Sequence, residues 1–152
     1  MTPATIQIED PRQPEVERLL AQSAQYMAAL YPSESNHLLD AEALAGPEAT
    51  FLVARSGGQA VGCAALRRAE GYGEIKRMYV AQSARGLKLG AALLEAVEAA
   101  ARKQGLPLLR LETGVRQPEA IGLYQSRGFV ARGPFGDYGE DPLSLFMEKP
   151  LP

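Results

Sequence analysis

The chain has 152 residues, 46% of them hydrophobic and 22% charged, the balance of one soluble globular domain rather than a disordered chain. Sixteen Lys+Arg against eighteen Asp+Glu leave a net charge of −2, which argues against a general nucleic-acid binder. One cysteine and one histidine exclude an intrachain disulfide framework and leave no Cys/His cluster for a metal. No apolar run approaches the ~20 residues that span a bilayer, and Met1–Asp10 lacks the basic and apolar regions of a signal peptide. The expectation is a single reduced, cytoplasmic domain over residues 1–152.

Thr5–Glu9 alternates weakly and reads as a first strand. Pro11–Tyr31 reads as a helix, with Val16, Leu19, Leu20, Met27 and Leu30 at three- and four-residue spacing, ended by Pro32. A polar loop at 33–36 leads to a short helix over Asp40–Ala45, closed by Gly46-Pro47. Phe51–Ala54 and Ala60–Leu66 flank Ser56-Gly57-Gly58-Gln59 as a hairpin. Tyr72–Val80 is a third long strand. Lys88–Lys103 is the clearest helix: Leu89, Leu93, Leu94, Val97 and Ala101 line one face, and Gly105 and Pro107 follow its end. Strand Leu108–Thr113, helix Glu119–Arg127, an extended piece from Gly128-Phe129 and a closing strand Leu143–Met147 complete the chain. Strand 72–80, helix 88–103 and strand 108–113 form a βαβ unit, so those strands are expected as parallel neighbours in an otherwise mixed sheet.

The chemistry concentrates between Ile75 and Leu94. That stretch holds Lys76, Arg77, Arg85 and Lys88 and no acidic residue, a local basic patch on a slightly acidic chain. It lies on a strand-to-helix turn, where free backbone N–H groups and the positive helix end attract phosphate. Gly86 and Gly90 allow close approach of a ligand. Neither a Walker A loop nor a Gly-x-Gly-x-x-Gly turn is present.

Arg85-Gly86-Leu87-Lys88-Leu89-Gly90 instead resembles the coenzyme A loop of the GCN5-related N-acetyltransferases (GNAT), Gln/Arg-x-x-Gly-x-Gly/Ala. Arg85 and Gly90 match its ends. Lys88 stands where the family prefers a glycine, a mild departure at helical φ and a costly one at positive φ. Gln117-Pro118-Glu119-Ala120-Ile121-Gly122-Leu123-Tyr124 through Gly128-Phe129 resembles a second motif, Asn-x-x-Ala-x-x-Leu-Tyr-x-x-x-Gly-Phe, with Gln117 replacing Asn. The likeness is best over about residues 50–130. The tail from Pro134 resembles a bacterial subgroup of unassigned substrate.

The resemblance implies an α+β fold, a mixed and splayed sheet flanked by helices, that binds acetyl-CoA between two parallel strands. It implies transfer of the acetyl group to a primary amine of a small molecule or peptide by direct attack in a ternary complex. The alternative on the same fold is a non-catalytic acyl-CoA-binding domain. Cofactor contacts are expected at Met78, Tyr79, Val80, Arg85, Gly86, Leu87, Lys88, Leu89, Gly90, Ala91, Gln117, Ala120 and Tyr124, with amides near Met78 and Val80 holding the thioester oxygen. Tyr124 matches the family's acid, its phenol near pKa ~10 close enough to a thiol near ~8.5 to return a proton, and Glu74 its base. On residue type alone, Tyr124 equally suits a packed core tyrosine and Glu74 a solvated strand-end carboxylate. Acceptor contacts are expected from Glu34, His37, Arg77 and Tyr138, framed by the acidic loop residues Asp137, Glu140 and Asp141. The resemblance implies a bulge at Lys76-Arg77, across which Arg77 could reach the cleft; a plain salt bridge is its other fate. Cys63 reads as an inert core thiol. No metal, nucleic acid or membrane partner is expected; a homodimer is common in the family.

Overall fold

A computed structural model describes residues 4–33 and 38–152. Glu34 and His37 therefore lie outside the described residues. The elements are β1 (Thr5–Ile8), α1 (Pro14–Leu30), α2 (Ala41–Leu44), β2 (Ala49–Ser56), β3 (Gln59–Ala69), β4 (Tyr72–Val80), α3 (Leu89–Lys103), β5 (Leu108–Gly114), α4 (Pro118–Ser126), β6 (Val130–Arg132) and β7 (Ser144–Pro150). One seven-stranded sheet has the order β1-β2-β3-β4-β5-β7-β6. Only β4 and β5 pair in parallel; β1-β2, β2-β3, β3-β4, β5-β7 and β6-β7 are antiparallel. The mixed sheet and the parallel neighbours match the sequence reading. The place of β7 between β5 and β6 had no local signal.

Strand alternation sends apolar side chains to both faces. Leu52, Ala54, Ala64, Leu66 and Ile75 meet Leu93, Leu94 and Val97 of α3 and Tyr124 of α4 on one face. Phe51, Val53, Cys63 and Ala65 meet Val16, Leu19 and Leu20 of α1 and Leu44 of α2 on the other. Leu93, Leu94 and Val97 are fully buried, each contributing about 1.5–3 kcal/mol by removal from water. Arg55 of β2 pairs with Glu9 and Glu15 at 2.8 and 2.9 Å and ties down the start of α1. Its hydrogen bonds hold the Glu9 carboxyl below the usual range. Among the described residues no helix is long and apolar enough to cross a membrane, and no group of His, Cys, Asp or Glu could hold a metal ion.

Two features position the site. First, β4 and β5 pair only from Gly73↔Leu109 to Ile75↔Leu111 and then diverge. Second, β4 bulges against β3: Cys63 faces Tyr79 and Ala65 faces Lys76, so Arg77 and Met78 together oppose Ala64. Arg77 takes up the extra residue with φ 51.

The end of α1 locks onto this opening. Tyr31 is buried and its hydroxyl accepts from the Arg116 amide at 3.0 Å. A Cβ on Gly114 would stand 1.9 Å from that hydroxyl, so no side chain fits there. Gly114→Ala is expected to push Tyr31 out and cost about 2–4 kcal/mol, read as a lowered denaturant midpoint. An unchanged midpoint would show that α1 is not anchored through this contact.

Candidate active site at the splay of two parallel strands

A cleft of about 340 Å³ opens where β4 and β5 part. Met78, Tyr79 and Val80 form one wall. Arg85, Gly86, Lys88, Leu89 and Gly90 form its end. Gln117, Ala120 and Tyr124 of α4 form the second wall, and Ser23, Tyr26 and Met27 of α1 cover it. Of the expected cofactor residues, only Leu87 and Ala91 fall outside the lining; Leu87 is 47% exposed.

Successive strand amides point to opposite edges. The Ala81 amide donates to Val61 of β3, so those of Val80 and Met78 face the open side that β5 has left. At the other end, α3 starts one residue later than periodicity predicts. Lys88 caps it in the left-handed region, φ 59 and ψ 30, after Gly86 at φ 90. This is the costly form of the departure from glycine, about 1–2 kcal/mol for an L-residue. It leaves the loop backbone in the shape a glycine would take and adds an exposed ammonium. The amides at the start of α3 have no intrahelical acceptor. Turned backbone, helix end and two cations make a concave anion site. A Cβ on Gly86 would meet nothing within 4 Å, so the space in front of the loop is open. Arg85 pairs across the mouth with Glu119 at 3.5 Å and lies 6.0 Å from the Tyr26 ring. Both partners are largely exposed, so this pair is worth at most about 1 kcal/mol and yields readily to a phosphate.

Gly90 lines the cleft and has a second reason to be glycine. Its missing Cβ would sit 3.0 Å from Leu123 Cδ2 and 3.9 Å from Met78 Cε, so the glycine also lets α3 and α4 close on each other. Gln117 is committed as well: its side-chain oxygen accepts from the Gly114 amide at 3.3 Å and the Tyr31 hydroxyl at 3.4 Å.

A second cavity of about 90 Å³ lies behind the first. Lys76 and Arg77 line it from β4, Glu112 and Thr113 from β5. Leu38 lies at its side, and it shares Ser23, Met27, Met78, Gln117, Ala120 and Tyr124 with the larger cleft. Tyr124 therefore belongs to the partition between the two. Its hydroxyl donates to Met78 Sδ at 3.6 Å, and its ring packs edge-on against Phe129. It is both a core tyrosine and a cleft residue. Burial, then nearby Glu112, pushes its phenol well above the ordinary range, away from the close match to a thiol expected from sequence.

Other expected residues are placed differently. Glu74 is 7% exposed, not solvated, and lines neither cavity. Tyr138 donates to Glu74 Oε2 at 2.5 Å, and Lys76 Nζ lies 2.6 Å from the Tyr138 hydroxyl and 3.5 Å from Glu74. Tyr138 is held by edge-on packing with Phe135 and Phe146 and lines neither cavity, as do Asp137, Glu140 and Asp141. Arg77 makes no salt bridge among the described residues; it donates to the carbonyls of Leu39 and Leu20 at 2.5 and 2.8 Å. Cys63 is fully buried and its thiol is pushed up to about 12, which removes it as a nucleophile.

The sequence reading missed the α1 residues and Glu112. For α1 no local signal existed, because its partner is set by tertiary packing. Glu112 had one: it is the carboxylate near the C-terminal end of a parallel strand, where open α/β sheets place ligands.

Residues 14–129 match the model of the acetyltransferase (GNAT) family. The chain belongs to that family. An IAA acetyltransferase of Azospirillum brasilense is 54% identical over 99% of this chain and all of its own. A solved structure assigned to the acyl-CoA N-acyltransferases, from Klebsiella pneumoniae, is 41% identical with a TM-score of 0.83 over 97% of each chain. The PaiA N-acetyltransferase of Thermoplasma acidophilum, solved in complex with coenzyme A, shares the fold at TM-score 0.76 and 18% identity, over 97% of this chain and 99% of its own. GNAT members draw on acetyl-CoA, so acetyl-CoA is the acyl donor here and the chain an N-acetyltransferase.

Proposed function

We propose that acetyl transfer takes place at the partition between the two cavities, with the donor in the larger, a primary amine in the smaller, and Tyr124 and Glu112 as the proton-handling pair. The observation that carries this reading is the sharing of Met78 and Tyr124 by both cavities. Acetyl-CoA supplies an activated thioester. Arg85, Lys88 and the amides of Gly86, Leu89 and Gly90 would hold its phosphates. Gln117, Ala120 and Tyr79 would flank its arm. The open-edge amides of Met78 and Val80 are fixed donors for a carbonyl oxygen that gains charge. Glu112 takes a proton from the incoming ammonium, directly or through water. Tyr124, protonated at every working pH, donates to a sulfur, as it already does to the Met78 thioether.

Glu74 then has a supporting role: with Tyr138 it fixes the Lys76 ammonium. The two carboxylates are separable. Glu112→Gln is expected to lower kcat/KM for amines by roughly 10²-fold at neutral pH, less at alkaline pH where free amine is abundant. Glu74→Gln is expected to lower the unfolding midpoint and cost activity less. The opposite ranking would return the base to Glu74. The acceptor panel for these assays includes IAA, the compound in the name of the Azospirillum relative.

A further inference from the structure

The smaller cavity has walls of opposite charge. Lys76 and Arg77 stand on the β4 wall and Glu112 on the β5 wall. Adjacent residues of a regular strand face opposite sides of the sheet. Both cations line one cavity here because the bulge turns the chain at Arg77, φ 51, and re-aims its side chain. Such a conformation disfavours every residue but glycine, and an L-residue kept there by the fold marks a place where its side chain is needed.

The two cations differ in what balances them. Lys76 has the carboxylate of Glu74 at 3.5 Å. Arg77 has no carboxylate at ion-pair distance among the described residues. Two of its five N–H donors go to the carbonyls of Leu20 and Leu39, and its Nε is buried with no acceptor. Carbonyl dipoles orient a guanidinium but do not neutralise it. Burial acts on this charge, holding its pKa below the usual arginine value. Among the described residues Asp40 acts on this charge only from beyond ion-pair distance. A half-buried guanidinium with no paired carboxylate among them, beside a polar cavity, is suited to an anion brought by the ligand.

We propose that Arg77 is the carboxylate-binding residue of the acceptor site, and that the acceptor is a small zwitterion of the amino-acid type. Its carboxylate lies toward Arg77 on the β4 wall and its amine toward Glu112 and Tyr124. A cavity of about 90 Å³ takes such a head group, with any side chain leading out past Leu38. The assignment rests on the reading of the larger cleft as the donor site. It also gives Arg77 two jobs, since its carbonyl bonds fix α1 and the segment before α2 around the same cavity.

The test is calorimetric titration of L-amino acids and of their carboxamides into the protein loaded with coenzyme A, with thiol release from acetyl-CoA measured in parallel. Free acids are expected to bind at least about tenfold tighter than their amides, because a charge-assisted pair is lost in the amide. Arg77→Gln is expected to abolish that difference by weakening the acids more than the amides, whatever smaller change the loosened α1 brings to coenzyme A affinity. Arg77→Lys is expected to keep part of it. Acids and amides binding alike, neither binding, or a difference that survives Arg77→Gln would each overturn the proposal. Absence of coenzyme A binding by the unaltered protein is a separate result: it would overturn the donor-site reading and this one with it.

Discussion

Replacing Tyr124 by phenylalanine is expected to lower kcat by roughly 10²-fold and to leave the dissociation constant of acetyl-CoA unchanged. The variant keeps the ring, its edge-on contact with Phe129 and the partition between the cavities, and removes only the hydroxyl. That hydroxyl has a thioether sulfur, not an oxygen, as its hydrogen-bond partner. Its loss therefore leaves no strongly polar group stranded, and stability should change little. Burial and the Glu112 charge both raise the phenol, so the protonated form persists as pH climbs past the ordinary tyrosine range. An alkaline limb in kcat at lower pH would have to come from another group. A variant with normal kcat would leave Tyr124 as a packing residue.

Gly90→Glu is expected to weaken acetyl-CoA binding by more than about 100-fold. Two effects add. The Cβ arrives 3.0 Å from Leu123 Cδ2, so the α3–α4 contact must open and the cleft wall shifts. The carboxylate then enters the first turn of α3, beside amides and cations that would otherwise face phosphate. Gly90→Ala separates the two, since it adds the crowding without the charge. The alanine variant should lose far less affinity, because Leu123 can yield by a few tenths of an ångström. Equal losses in the two variants would make packing the whole effect. Unimpaired binding in Gly90→Glu would place the phosphates elsewhere than this loop.

Much of the site was legible because its elements are local. A turn rich in glycine and arginine between a strand and a helix is built by neighbouring residues, so Arg85, Gly86, Lys88 and Gly90 could be located by spacing alone. Tyr124, near the end of a short helix, was found through the resemblance of its motif; residue type alone left it a core tyrosine. Glu74 shows the opposite. It stands on the expected strand, but its meaning depends on Tyr138, sixty-four residues away in sequence. The sequence can mark a carboxylate; it cannot say whether a tyrosine from a distant loop covers it. Glu112 was hidden for the same reason in reverse: its strand was read correctly, while the divergence of β4 that exposes it is a property of the pair.

Taken alone, the sequence determined the succession of strands and helices, the parallel βαβ unit and the glycine- and arginine-bearing loop before α3. Each follows from periodicity, glycine placement and charge within about twenty residues. Tertiary structure decided the form of the bulge that the resemblance implied at Arg77, the left-handed turn at Lys88, the closure of α1 over the cleft through Tyr31 and Gly114, and the placement of Glu112, not Glu74, in a cavity that Tyr124 lines. All four arise where separate segments compete for one space. No single segment carries the information about which will yield.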